Sequence, residues 1–141
     1  MNQIHRLATH EDWARAWPVL RLLRRGLDRE RFLASREELM ADGYELFGLS
    51  SEGTLVSVAG LVFHAHVVRG SDCQLCDLAT LEAERSKGFG RELVRFVARY
   101  AKDRGCARVC VHTFLDRDDT QRFYEERVGW KQCAAVFQKE F

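Results

Sequence analysis

The order of apolar and polar positions reads as a succession of strands and helices. Residues 4–8 carry a short strand pattern, and Thr9-His10-Glu11-Asp12 supplies N-cap chemistry behind it. The predicted first helix carries Trp13, Trp17, Leu20 and Leu23 at helical spacing, and Pro18 inside it should kink or divide it. A second helix is predicted over residues 29–41, with Phe32, Leu33, Leu39 and Met40 as its apolar positions and Gly43 past its end. β-rich runs at 44–49 and 55–63 flank the turn sequence Ser50-Ser51-Glu52-Gly53, and 74–81 reads as a further strand. The clearest helix spans 89–104, with Phe89, Leu93, Phe96, Val97 and Tyr100 on one face and Arg91, Arg95, Arg99 and Lys102 on the other. After Gly105 come a strand at 108–113, a short helix capped by Asp118 or Asp119 and closed by Gly129, and a last strand at 131–141. The order β-α-α-β-β-β-α-β-α-β predicts an α/β (α+β) domain, a mixed sheet with helices on both faces.

Length and composition narrow the class. At 141 residues the chain suits one domain, 1–141, and no repeat, low-complexity tract or Pro/Ser-rich linker divides it. With 46% apolar residues it is too apolar for disorder. The start of the chain lacks the apolar core of a signal peptide. The longest stretch without Asp, Glu, Lys or Arg, residues 53–68, contains Ser, Gly and two His and is short for a membrane span. A soluble, cytoplasmic protein is expected. The odd count of five cysteines agrees with a reducing compartment. Cys73-Gln74-Leu75-Cys76 has knuckle spacing, but Cys106 and Cys110 are set one residue too far apart to complete a zinc pair. Packing is the expected role of these cysteines, and no metal is expected.

Net charge changes the picture only when resolved along the chain. The total of +1 argues against a dedicated nucleic-acid binder. Between residues 85 and 108, however, eight basic residues face two acidic ones, so this segment is +6 and the rest is −5. Within it, a strand ending Leu78-Ala79-Thr80 runs through a short loop into Gly88-Phe89-Gly90 at the mouth of an amphipathic helix. Glycine lets backbone approach a ligand closely, and a helix start offers unpaired N–H groups and positive potential, which together suit a phosphate. No G-K-[ST] follows, and the three-glycine dinucleotide fingerprint is incomplete. A tight turn beside an exposed basic helix face is the alternative.

A second motif about thirty residues on decides between them: Phe123-Tyr124-Glu125 on a short helix, followed by Gly129-Trp130. Together with Arg85, Gly88 and Gly90 after the strand ending Leu-Ala-Thr, this pair resembles the GNAT N-acetyltransferase family. The resemblance implies a mostly antiparallel sheet with a splayed parallel strand pair and acetyl-CoA bound where those strands part. Backbone groups of Leu78, Ala79 and Thr80 would then bond the pantetheine arm. The N–H groups of Ser86, Lys87, Gly88, Phe89, Gly90 and Arg91 would hold the pyrophosphate, with Arg85 or Lys87 adding charge. Tyr124 matches the family's tyrosine beside the thioester sulfur, with the role of general acid. Departures at Glu82, Arg117 and Thr120 fall on secondary cofactor contacts.

The implied reaction is attack of a small-molecule or protein amine on the thioester, with no nucleic acid or membrane partner and a homodimer as the default assembly. A general base must take the amine's proton. Asp77, an awkward carboxylate for a strand unless a cleft or partner receives it, is the first candidate; His112 and Glu82 are the others. His64 and His66 are expected at a strand end. Arg21, Arg24, Arg25, Arg29 and Arg31 could attract an acidic acceptor, or form a solvated face with Asp28 and Glu30. An idle acyl-CoA-binding module and a nucleotide-binding domain are the competing functions.

Overall fold

Two strands, β2 (Glu45–Ser51) and β3 (Thr54–His66), form the central hairpin, turning on Glu52 and Gly53. Both turn residues have positive φ, 50° and 80°, the geometry of a tight hairpin whose twist matches its strands. β1 (Asn2–Arg6) pairs antiparallel with β2, and β4 (Gly70–Thr80) pairs antiparallel with β3. β5 (Arg108–Val111) completes the order β1-β2-β3-β4-β5. It runs parallel to β4: Ala107 N–H donates to Ser71 C=O at 2.8 Å where both strands begin, and the intervening helix is the crossover. The computed structural model describes all 141 residues, which fall into two compact units, Met1–Cys110 and Val111–Phe141.

α1 (His10–Leu20) and α2 (Arg29–Ala34) cover one face of this sheet. Thr9 caps α1 through a reciprocal capping box with Asp12. Burial is the largest single influence on the Asp12 carboxyl and works to raise it, but those bonds and Arg15 together outweigh it and hold the group down at about 2. Trp13 is fully buried, donates from Nε1 to Leu7 C=O at 3.0 Å, and stacks on Phe32 at 5.0 Å. α1 is not divided at Pro18. It runs through it and stops at Leu20, which leaves Leu23 exposed beyond the end rather than on the buried face.

The single helix expected over 29–41 is two helices, α2 and α3 (Arg36–Ala41). Ser35 breaks it, because its hydroxyl takes the Phe32 carbonyl at 2.7 Å that the helix ladder would use. In the opposite layer, α4 (Phe89–Asp103) buries Leu93, Val94, Val97 and Ala101. Its Phe96 and Tyr100 rings pack on Phe47 at 5.1 and 4.9 Å.

The helix of the second unit, α5 (Asp118–Arg122), is continued by a wider π-helical turn, Phe123–Val128, and ended at Gly129 with φ 80°. The strand expected at 131–141 does not form, and every residue there is exposed. β-type composition describes a preference, whereas a strand needs a hydrogen-bonded partner, and these residues pair with none.

The buried Glu45 carboxylate pins α4 to the sheet, accepting from Tyr100 Oη and from Arg104, whose guanidinium lies 4.0 Å over the Phe63 ring. Glu45→Ala should therefore lower stability by about 1–3 kcal/mol, the cost of leaving buried partners unsatisfied. Chemical denaturation measures this, and an unchanged midpoint would contradict the pin.

Candidate functional site

The loop between β4 and α4 has an unusual backbone. Ser86 has φ 66° and Gly88 φ 86°, two left-handed residues within three, and one is not glycine. Such strain persists where surrounding structure enforces it, and it turns successive N–H groups toward one side. The first bond of α4 is Glu92 N–H to Gly88 C=O at 3.0 Å, so the amides of Phe89, Gly90 and Arg91 have no helical acceptor. Gly88 is the N-cap and no side chain caps the helix. The helix is fifteen residues long, and its start is a basic, unpaired donor set suited to an anion.

The nearby charges are disposed around this set. Lys87 pairs with Glu84 at 2.8 Å, and Arg85 Nε donates to Thr80 C=O at 3.3 Å, which ties the loop to the strand end. Arg91, Arg95, Arg99 and Lys102 are all exposed along α4.

β4 is shaped by a bulge. Asp77 faces Gly60 and Leu75 faces Leu61, so Cys76 is an extra residue. The bulge reverses the side-chain phase. Cys73 and Leu75 are buried on the α4 side, whereas Asp77 and Ala79 turn toward α1. Leu81 N–H donates to Val56 C=O at 2.9 Å. Alternation then commits the Ala79 backbone to β3 and directs the N–H and C=O of Leu78 and Thr80 outward. Ser57 Oγ also donates to the Ala79 carbonyl at 3.0 Å. β5 has four residues against eleven in β4, so this outer edge lacks a strand partner toward its end. Of the three residues expected to bond a ligand by backbone, Leu78 presents both groups, Thr80 presents its N–H while Arg85 takes its carbonyl, and Ala79 presents neither.

Asp77 is half-buried. Its Oδ2 accepts from Tyr44 Oη at 2.7 Å, and no Lys, Arg or His pairs with it. Burial raises its pKa and the Tyr44 bond opposes that rise. Glu82 is exposed in a single turn over Glu82–Glu84. His64 bonds Gln74 at 3.1 Å and His66 faces Asp72 at 3.1 Å, both at the end of β3. His112 is exposed, in the second unit. The five cysteines are free thiols, and no three His, Cys, Asp or Glu side chains form a metal cluster.

In the second unit Tyr124 is buried, stacked on Trp130 at 5.5 Å and edge-on to Phe123 at 5.1 Å. It stands on the π-helical turn, a geometry that often marks functional positions. Burial pushes its phenol well above the usual value, so it stays protonated and able to donate.

Residues 4–130 match the Acetyltransferase (GNAT) family. The chain belongs to that family. As a GNAT protein it is an acyltransferase. It is 29% identical over 140 residues to the uncharacterized N-acetyltransferase YhdJ of Bacillus subtilis (strain 168), covering 99% of both chains. In fold it is similar to AAC(6')-Iy, solved with the bisubstrate analog CoA-S-monomethyl-acetylneamine, at TM-score 0.85 and 19% identity over 100% of this chain and 99% of that one. It is also similar to the ribosomal-protein-alanine N-acetyltransferase of Brucella melitensis, at TM-score 0.82 and 19% identity over 99% of each. No helix of this GNAT chain is long and apolar enough to cross a membrane.

Sequence reasoning missed Tyr44 as the partner of Asp77, because they lie 33 residues apart and only strand pairing joins them. The available signal was a carboxylate inside an apolar strand, which demands a donor. The loop geometry yields a direct check. A Cβ at Gly88 meets nothing within 4 Å, so Gly88→Ala carries only the left-handed backbone cost of about 1–2 kcal/mol. Thermal denaturation should show that loss, and an unchanged Tm would contradict the left-handed cap.

Proposed function

We propose that the protein is an acetyl-CoA-dependent N-acetyltransferase acting on a primary amine, with residues 1–141 working as one functional domain. The observation that carries this reading is the set of unpaired amides at the left-handed entrance to α4, beside the end of β4, whose outer edge has no strand partner beyond the short β5. The first fits a pyrophosphate and the second fits an amide-containing arm. Acetyl-CoA supplies both, together with the activated acyl group. Leu78 and Thr80 bond the arm as an added strand would, and residues 86–91 hold the phosphates with Arg85 and Lys87 adding charge.

The amine nitrogen attacks the thioester carbonyl carbon, the new C–N bond forms and the C–S bond breaks. Asp77 takes the proton lost by the amine. Its raised pKa keeps a carboxylate basic enough for the task and, with no cation of its own, leaves it free to meet an ammonium. Tyr124, which burial keeps protonated, gives its proton to the departing thiolate. The acceptor is a small molecule or a protein amine.

The test is thiol release from acetyl-CoA with neamine, glucosamine 6-phosphate and an alanine-initiated peptide as acceptors. Release dependent on at least one amine is expected. Tight CoA binding with no release from any amine would favour an idle acyl-CoA-binding module instead. Tyr124→Phe should lower kcat by about 10²-fold, the lower range for a lost general acid, with CoA affinity retained. An unchanged kcat would remove Tyr124 from that role.

A further inference from the structure

Asp77 has one hydrogen-bond partner, and that partner is unusually well supported. Tyr44 leads into β2 with its N–H bonded to Leu39 C=O at 2.9 Å, directly after Gly43, whose φ is 95°. Its ring is buried edge-on against Trp13 at 5.9 Å, and Trp13 is itself locked between Leu7 C=O and Phe32. The phenol crosses the face of β3 at Gly60, the position paired with Asp77. A Cβ at Gly60 would fall inside the Tyr44 hydroxyl and within 2.8 Å of Asp77 Oδ2. The absence of a side chain at 60 is therefore what lets the two groups meet.

We propose that Tyr44 is the positioning residue for Asp77, fixing Oδ2 by hydrogen bond so that Oδ1 alone is presented to the acceptor's nitrogen. This rests on the reading of Asp77 as the base. A carboxylate on a strand can rotate about its side-chain torsions, and one strong donor on one oxygen removes that freedom. The same bond stabilises the ionised carboxylate against the burial that disfavours it. Burial and the neighbouring carboxylate keep Tyr44 itself protonated, so it serves as a donor. The titratable neighbours of Asp77 are Tyr44 and the Cys76 thiol, which burial pushes up to about 11, and no cationic side chain is paired with Asp77.

The experiment is the pH profile of kcat/KM with the fastest acceptor of the amine panel. It is read beside acetyl-CoA affinity and NMR titration of the Asp77 side-chain carboxyl, which Asp77→Asn assigns. Tyr44→Phe should move the acidic limb to higher pH and lower kcat/KM about tenfold below neutrality, the worth of one hydrogen bond to a charged group, with acetyl-CoA affinity kept. Gly60→Ala should displace the limb in the same direction with both functional groups intact. Site-specific 3-fluorotyrosine at position 44 keeps the ring's size and makes the phenol a stronger donor, so it should move the limb to lower pH. This replacement keeps the test decisive even where the two substitutions impair folding. A limb unmoved by 3-fluorotyrosine, or unmoved in folded Tyr44→Phe, overturns the positioning role while a lost limb in Asp77→Asn leaves the base in place. If Asp77→Asn keeps the full profile, the base reading itself fails, and the positioning role falls with it.

Discussion

The single extra residue at Cys76 sets the terms for the rest of the site. A bulge in an antiparallel pair shifts the side-chain phase by one and adds local twist. On its early side, β4 sends Cys73 and Leu75 into the layer under α4. On its later side, Asp77 and Ala79 face α1. Without that shift, a strand buried on both faces would offer no place for a carboxylate to meet Tyr44. The same strand later directs Leu78 and Thr80 to an edge with no strand partner, while β5 remains short.

Two sets of polar groups lack a full complement of partners near β4, and the buried Trp17 Nε1 is a further donor without an acceptor elsewhere. The first is a row of donors at the start of α4, held by left-handed Ser86 and Gly88. The second is a half-buried carboxylate without a counterion. Elsewhere, buried charges are matched: Glu45 by Tyr100 and Arg104, and Asp72 by Arg108 and His66. The loop amides are open to solvent and the carboxylate has Tyr44 as its one partner, so β4 and the loop behind it offer donors and an acceptor to a ligand under the proposed reading.

Much of this was legible in the sequence. The Gly88-Phe89-Gly90 entrance, the amphipathic α4 and the concentrated positive segment are local signals, and local signals survive folding. Thr9 and Asp12 likewise form the cap their spacing predicts. The failures come from partners distant in sequence or from competition. Ser35 took a carbonyl the helix needed, which split residues 29–41 in two. Residues 131–141 have strand composition and no ladder, since composition cannot report a partner. Ala79 was grouped with its neighbours because alternation along β4 becomes readable only with the β3 register. Tyr44 escaped notice for the same reason: only the pairing of Gly60 with Asp77 brings its hydroxyl to the carboxylate.

Residue-resolved amide exchange with and without acetyl-CoA tests the central claim most directly, because it reads each N–H separately. The amides of Leu78 and Thr80 and those of residues 86–91 should exchange fast alone and slow on adding acetyl-CoA. The Ala79 amide, already bonded to β3, should be protected in both states. Acetyl-CoA binding that leaves the Leu78, Thr80 and loop amides unprotected would contradict the account.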